Sequence, residues 1–225
     1  MSIATPVTGA ESETKPNLTE QVYDQLIQIL ISGELRPGDV IVERRMAERL
    51  NASRTPIREA LGRLEAERLV YKQANRGVTV SPFSTEALIE ILNVRQLLES
   101  EAARLAAGRL PKARCAEIRT AMQALADKED ATLADIWYVH DSLHGEIADA
   151  SGNQLLAGMI RDLRRRTHVL NAYRNPTEST FDLTENTKLL EAVEGGDSEQ
   201  ARAAMEGHIN NVKIAIINRL TGISR

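Results

Sequence analysis

Apolar residues recur at helical spacing from the start of the ordered pattern. Val22, Leu26, Ile29 and Leu30 share one face of a helix predicted over 18–31, which the turn Arg36-Pro37-Gly38-Asp39 closes off. Met46, Ala47 and Leu50 begin a second run that Asn51 and Ala52 interrupt. A further helix is expected from Ser53, whose hydroxyl can cap the first turn, with Pro56 placed where a missing amide proton costs little and Ile57, Ala60, Leu61 and Leu64 as the buried stripe. Two short helices about a tight turn make a helix-turn-helix. The β-branched runs Leu69-Val70-Tyr71-Lys72 and Gly77-Val78-Thr79-Val80 then flank a polar tip, Gln73-Ala74-Asn75-Arg76, and predict a hairpin, or wing. After Ser81-Pro82 the pattern is helical throughout, with helices expected over 85–108, 111–127, 133–150, 153–174, 179–194 and 198–220 and Gly108, Gly152 and Gly195-Gly196 punctuating their ends. The fold class that follows is mainly α: a tail over 1–17 expected to be disordered, a winged helix-turn-helix domain over 18–82 and an all-α domain over 83–225.

The polar residues around the third helix carry the first functional signal. Its outer face near the start presents Ser53, Arg54, Thr55 and Arg58, with Arg44 in the preceding helix. Hydroxyls and helix N-terminal amides suit phosphates, and an arginine fork matches the O6 and N7 acceptors of guanine in the major groove. A solvated basic face is the alternative for any one arginine. The neighbouring wing favours double-stranded DNA as the partner.

Composition refines this picture. The chain has 225 residues and a formal charge of −4, enough length for a second domain of ordinary size. Residues 18–83 hold ten Lys and Arg against nine Asp and Glu, while 84–225 hold seventeen against twenty-one. DNA contact is therefore expected from a local basic patch, not from the net charge of a domain. The single cysteine, Cys115, cannot form an intrachain disulfide and reads as a small helix residue, which suits a reducing cytoplasm. The first seventeen residues lack the basic start and apolar centre of a signal peptide, and no apolar run approaches a membrane span, so a soluble cytoplasmic protein is expected.

Histidine is scarce, and His140, His144 and His208 are the informative ones of four. His140 and His144 lie one helical turn apart on one face, close enough to share a divalent metal, though such a pair can also be a hydrogen-bonded core feature. The run His140-Asp141-Ser142-Leu143-His144 approximates the H-E-x-x-H signature of zinc hydrolases. Aspartate is one methylene shorter than the glutamate base, however, and no third ligand stands out in a protease-like arrangement, so no enzyme is expected. The cluster Arg161, Arg164, Arg165 and Arg166 reads as a solvated or interface face, with one member able to turn inward.

The stretches GELRPGDVIVE, ERRMAERLNASRTPIREALGRLEAERLV and NRGVTV resemble the N-terminal domain of the GntR family of bacterial transcription regulators, nearly end to end over 18–82. The resemblance implies operator contacts from Arg44, Arg54, Arg58 and Gly77, with Arg76 beside them on the wing and Ser53, Thr55 and Pro56 shaping the helix start. Gly77 also has its own reason to be glycine, since a side chain there would hold the wing off the minor groove and could forbid its backbone angle. NVRQLLESEAARLAA, DSLHGEIADASGNQLL and LLEAVEGGDSEQARAAMEGHI are similar to the effector domain of the FadR-type branch, called FCD, an antiparallel helical bundle.

Many such domains hold a metal with an aspartate and three histidines. The matching positions here are His140, His144, Asn186 and His208, so His140 stands for the aspartate and Asn186 for a histidine. Nitrogen ligands favour zinc or nickel over hard cations, while a neutral amide oxygen is a poor zinc ligand and leaves Asn186 a doubtful one. The resemblance also implies a homodimer and a small-molecule effector, expected to be a carboxylate, held near the metal. Arg95, aided by Asn186, is the candidate effector guanidinium, and a surface salt bridge to Glu99, four residues on, is its alternative role. A metal-free regulator sensing an apolar or acyl ligand is the competing form of the same protein.

Overall fold

The structure is a computed structural model and describes residues 18–73, 77–82, 84–174 and 182–221; the side chains of 133, 171–174 and 219–221 are outside that description. The tail over 1–17 and Arg76 at the wing tip also lie outside the described residues.

Helix α1 (Leu18–Ile31) buries Val22, Tyr23, Leu26, Ile27, Ile29 and Leu30, the face its spacing predicted. Strand β1 (Val40–Ile41), helix α2 (Glu43–Arg49), helix α3 (Arg54–Ala66) and strands β2 (Val70–Gln73) and β3 (Gly77–Val80) complete the N-terminal unit. The sheet is antiparallel in the order β1-β3-β2, pairing Ile41 with Val78 and Val70 with Val80. The wing was expected as a two-stranded hairpin, and β1 is an addition. At two residues, directly after the Pro37-Gly38 turn, β1 is too short to show alternation. Tyr23, Leu26, Ile57, Leu64, Val70 and Val80 fill the core between α1, α3 and the sheet.

The remaining described elements are helices: α4 (Thr85–Ala106), α5 (Lys112–Ala126), α6 (Leu133–Ala150), α7 (Gln154–Arg174), α8 (Leu183–Glu194) and α9 (Ser198–Thr221). Their bounds lie within two residues of expectation except at α8, whose expected start at 179 falls in the span outside the described residues. The Ser84 hydroxyl accepts the Ala87 amide at the start of α4, and Thr132 and Asp135 form a capping box at α6. Helix α4 packs against α6, α7 and α9 around a core that includes Leu88, Leu92, Met122, Leu143, Leu189 and Met205. Cys115 is buried in this core, as its reading as a small helix residue required. Gly108 and Gly196 take φ of +71° and +83°, and a Cβ on Gly108 would sit 3.2 Å from the Gly196 Cα, so two chain reversals meet where a side chain would push them apart.

The two cores touch through α7. Val169, fully buried, belongs to the N-terminal core although it sits on a helix of the bundle. Tyr23, also fully buried, donates its hydroxyl proton to Glu67 at 2.7 Å, and the Arg63 guanidinium lies 3.9 Å from its ring centre. Arg63 reaches Glu20, Glu67 and, across to α7, Asp162 at 3.2 Å. Burial and the Glu67 carboxylate push the Tyr23 phenol well above its ordinary range, so it stays a neutral donor inside this clasp.

Candidate functional site

The helix-turn-helix presents its polar residues as the sequence implied, with two corrections. Arg54, Thr55 and Arg58 are exposed on the first turns of α3, while Pro56 is buried beneath them. Ser53 has the extended backbone of an N-cap, but its side chain makes no capping hydrogen bond. The exposed hydroxyl is left on the outer face, beside Arg54 and Thr55, in a position to meet a phosphate. Arg44 on α2 is paired loosely with Glu48 at 3.7 Å. Arg58 is not simply solvated, since its Nε donates to Glu43 at 2.7 Å. Gly77 has φ of +86°, a value side-chain-bearing residues rarely adopt, which is the requirement its sequence reading anticipated.

Inside the bundle, His140 and His144 from α6 meet His208 from α9. The ring centres of His144 and His208 lie 5.0 Å apart, and His140 lies 6.4 Å from each. Two imidazoles on one tetrahedral ion with nitrogen bonds of about 2.1 Å put their ring centres about 5 Å apart. His144 and His208 meet that spacing and His140 does not, and among the described residues no three His, Cys, Asp or Glu side chains stand as a ready metal cluster. The two histidines of α6 are nonetheless in the form that can ligate. Burial, with Arg164 pushing the same way, lowers His144 to about 3, and burial together with His144 and Arg164 holds His140 well below its ordinary value, so both rings are neutral and able to ligate. His144 Nδ1 contacts the Glu99 carboxylate, the second partner that metal-bound histidines characteristically keep. His208 Nδ1 and Asn186 Oδ1 are both buried without a hydrogen bond, and the nearest acidic oxygen to that His208 nitrogen, Glu185 Oε1, is 3.4 Å away. The Asn186 amide donates to the Asp182 carbonyl at 2.7 Å.

Behind the histidines lies a charge network only partly foreseen. Arg95 does pair with Glu99, Nε to Oε1 at 2.6 Å, but the pair is buried; it is not the surface bridge considered as its alternative role. Arg95 also donates to Thr167 Oγ1 at 3.3 Å. Burial pushes the Glu99 carboxyl up, and Arg95, His144 and Arg164 together overcome that and hold it well below the carboxylate range. Of the arginine cluster, Arg164 is the member that turns inward. That side chain is buried, donates from Nε to Asp141 at 2.8 Å and stands 3.5 Å from Glu99. Arg161, in contrast, is largely exposed and holds Asp149. His168, the histidine set aside, completes the network with Nε2 2.9 Å from Asp141 and its ring 4.8 Å from that of Trp137. Its signal was present in the sequence as the i,i+4 spacing from Arg164, which puts both on one face of α7.

The pairing of a winged helix-turn-helix with this helical domain is matched by two family models: "Bacterial regulatory proteins, gntR family" over residues 18–80 and "FCD domain" over 90–211. The chain belongs to the GntR family. The regulator LutR of Bacillus subtilis (strain 168) is 30% identical over 209 residues, spanning 81% of this chain and 93% of LutR. The transcriptional repressor RspR of Escherichia coli (strain K12) is 24% identical over 213 residues, 91% of this chain and 92% of RspR. The solved structure of E. coli McbR/YncC superposes with a TM-score of 0.76 at 27% identity, covering 92% of this chain and all of that one. As a GntR-family protein with an FCD domain, the chain is a DNA-binding transcription regulator, and the hydrolase alternative falls because family and relatives alike are regulators, not enzymes. Among the described residues no helix is long and apolar enough to cross a membrane.

Proposed function

We propose that this GntR regulator is a ligand-responsive repressor that binds an inverted-repeat operator as a homodimer and is reset by a small carboxylate metabolite in its FCD domain. Arg54, Arg58 and Arg44 would meet base edges and phosphates in the major groove, with Ser53 and Thr55 on the backbone and Gly77 and Arg76 bringing the wing to the minor groove. Two recognition helices related by a two-fold axis would sit about 34 Å apart, one helical turn of DNA. Repression is the sign carried by the name of the relative RspR.

Dimerisation is supported by large apolar side chains left uncovered on two helices that pack together: Val94 and Leu97 on α4, and Leu155 and Met159 on α7. Leu97 is 73% exposed and Leu155 76%, apolar surface that a second copy would remove from water. Leu97→Glu is expected to convert a dimer to a monomer in analytical ultracentrifugation, with the circular dichroism spectrum unchanged. A dimer surviving that change would put the interface elsewhere.

The observation that carries ligand response is the convergence of His140, His144 and His208 in the bundle, joined through Glu99 to the buried guanidiniums of Arg95 and Arg164. Arg95, Arg164, Glu99 and Asp141 together are close to charge-neutral, so an anionic effector would gain little from them alone. His144 and His208 are the residues proposed to hold a divalent transition metal, zinc or nickel, with the oxygen of Asn186 and His140, whose ring stands farther from both than one shared ion requires, as the further candidates. When bound, that ion would supply the excess positive charge an effector carboxylate requires. Glu99 would fix the His144 ring through Nδ1, and Arg95 would orient the effector.

Elemental analysis of the purified protein tests this reading. One equivalent of metal per chain is expected, falling below a tenth of that in His144→Ala while DNA binding by the free protein persists. Stoichiometric metal retained in His144→Ala would refute the site. No metal in either protein would leave the bundle to an apolar or acyl ligand.

A further inference from the structure

Between the two cores lies a cleft of about 540 Å³, within the range of small-molecule sites, which favour domain junctions. The DNA-binding unit contributes Ile27 and Ile31 of α1; the bundle contributes Trp137 of α6 and Arg164, Arg165 and His168 of α7. None of the three histidines of the bundle site lines it.

The cleft's chemistry is that of an apolar slot with a cationic wall. Trp137 and His168 are buried and lie ring against ring, 4.8 Å between centres at an interplanar angle of 31°, an aromatic pair at the cleft wall, and α1 adds two branched aliphatic side chains. The donors divide unequally. The Asp141 carboxylate is already engaged by Arg164 Nε at 2.8 Å and His168 Nε2 at 2.9 Å. Arg165 gives one nitrogen to Asp162 and lies 5.3 Å from the Tyr23 ring centre, but its Nε is buried with no hydrogen-bond partner. A buried guanidinium N–H without an acceptor is costly, and a carboxylate is the group whose two oxygens match that fork. A cationic ligand is disfavoured here, because Arg161, Arg164 and Arg165 line the cleft against only Asp24 and Asp141.

We propose that this interdomain cleft is a second ligand site, separate from the histidine cluster, and that it takes a planar aromatic carboxylate, the ring against Trp137 and His168 and the carboxylate on Arg165. The occupant touches α1 and α7 at once, so it bears directly on how the DNA-binding unit is docked on the bundle. This site would give the regulator a second input, whose lining residues Arg164, Asp141 and His168 also belong to the charge network behind the histidines.

Trp137 is the only tryptophan in the chain, so its fluorescence reports on the cleft without interference. Anthranilate, a planar aromatic carboxylate able to accept energy from tryptophan, is the probe, titrated into the full-length protein. Saturable energy transfer is expected, weakened at least tenfold for 2-aminobenzamide, the neutral amide of the same ring, and at least tenfold in Arg165→Gln. Ile31→Glu, placed on α1 and away from the Arg165 clasp, is expected to weaken it comparably and carries the localisation if Arg165→Gln does not fold. Absence of saturable transfer would overturn the proposal. So would equal affinity for the amide, or binding that survives both Arg165→Gln and Ile31→Glu.

Discussion

Replacing Glu99 with alanine is expected to lower the stability of the FCD bundle by about 3–5 kcal/mol, the cost of leaving buried charge without its counter-charge. Glu99 is the hub of the network: it accepts from Arg95, contacts His144 and stands near Arg164, all of them buried. Without it, Arg164 retains Asp141, whereas Arg95 retains, among the described residues, the Thr167 hydroxyl. The loss should show as a shift in the urea midpoint followed by circular dichroism. Replacing both partners, as Arg95→Met with Glu99→Leu, is expected to cost much less than Glu99→Ala alone, because no charge is then stranded. A loss under about 1 kcal/mol in Glu99→Ala would mean that the pair behaves like a solvated surface bridge.

Arg54→Ala and Arg58→Ala carry the second large effect, on DNA and not on folding. Both side chains are exposed on α3, and among the described residues Arg58 forms a surface pair with Glu43. Such a pair contributes at most about 1 kcal/mol, so operator binding can displace it. Each substitution is expected to weaken operator binding by about 1–3 kcal/mol, roughly 5- to 150-fold, while leaving the unfolding midpoint in place. Unchanged affinity in a folded Arg58→Ala protein would remove that residue from the DNA-reading set. A hundredfold response to the effector, by comparison, needs about 2.7 kcal/mol of coupling between the bundle and the DNA-binding unit.

The sequence displayed the helix-turn-helix plainly because its information is local: apolar spacing in α1 and α3, β-branched runs in β2 and β3, and glycine at a positive-φ position in the wing. Strand β1 was hidden by its length, since two residues carry no period. The histidines were legible as an i,i+4 pair plus one on the last helix. Their surroundings were not. Glu99 reaches His144 across 45 residues and Arg95 reaches Thr167 across 72, and no periodicity announces pairs so far apart. Which arginine of the run at 161–166 turns inward was illegible for the same reason: Asp141, which holds Arg164 inside, lies 23 residues earlier. Ser53 shows the limit of local rules, with the residue type and backbone of a cap but no capping bond.

The most direct test of the account is selection of double-stranded DNA from a random library by the purified full-length protein, followed by sequencing. Enrichment of an inverted repeat by the wild-type protein, absent with Arg54→Ala and Arg58→Ala combined, is the predicted result. No enriched motif, or the same motif recovered by the double variant, would contradict it.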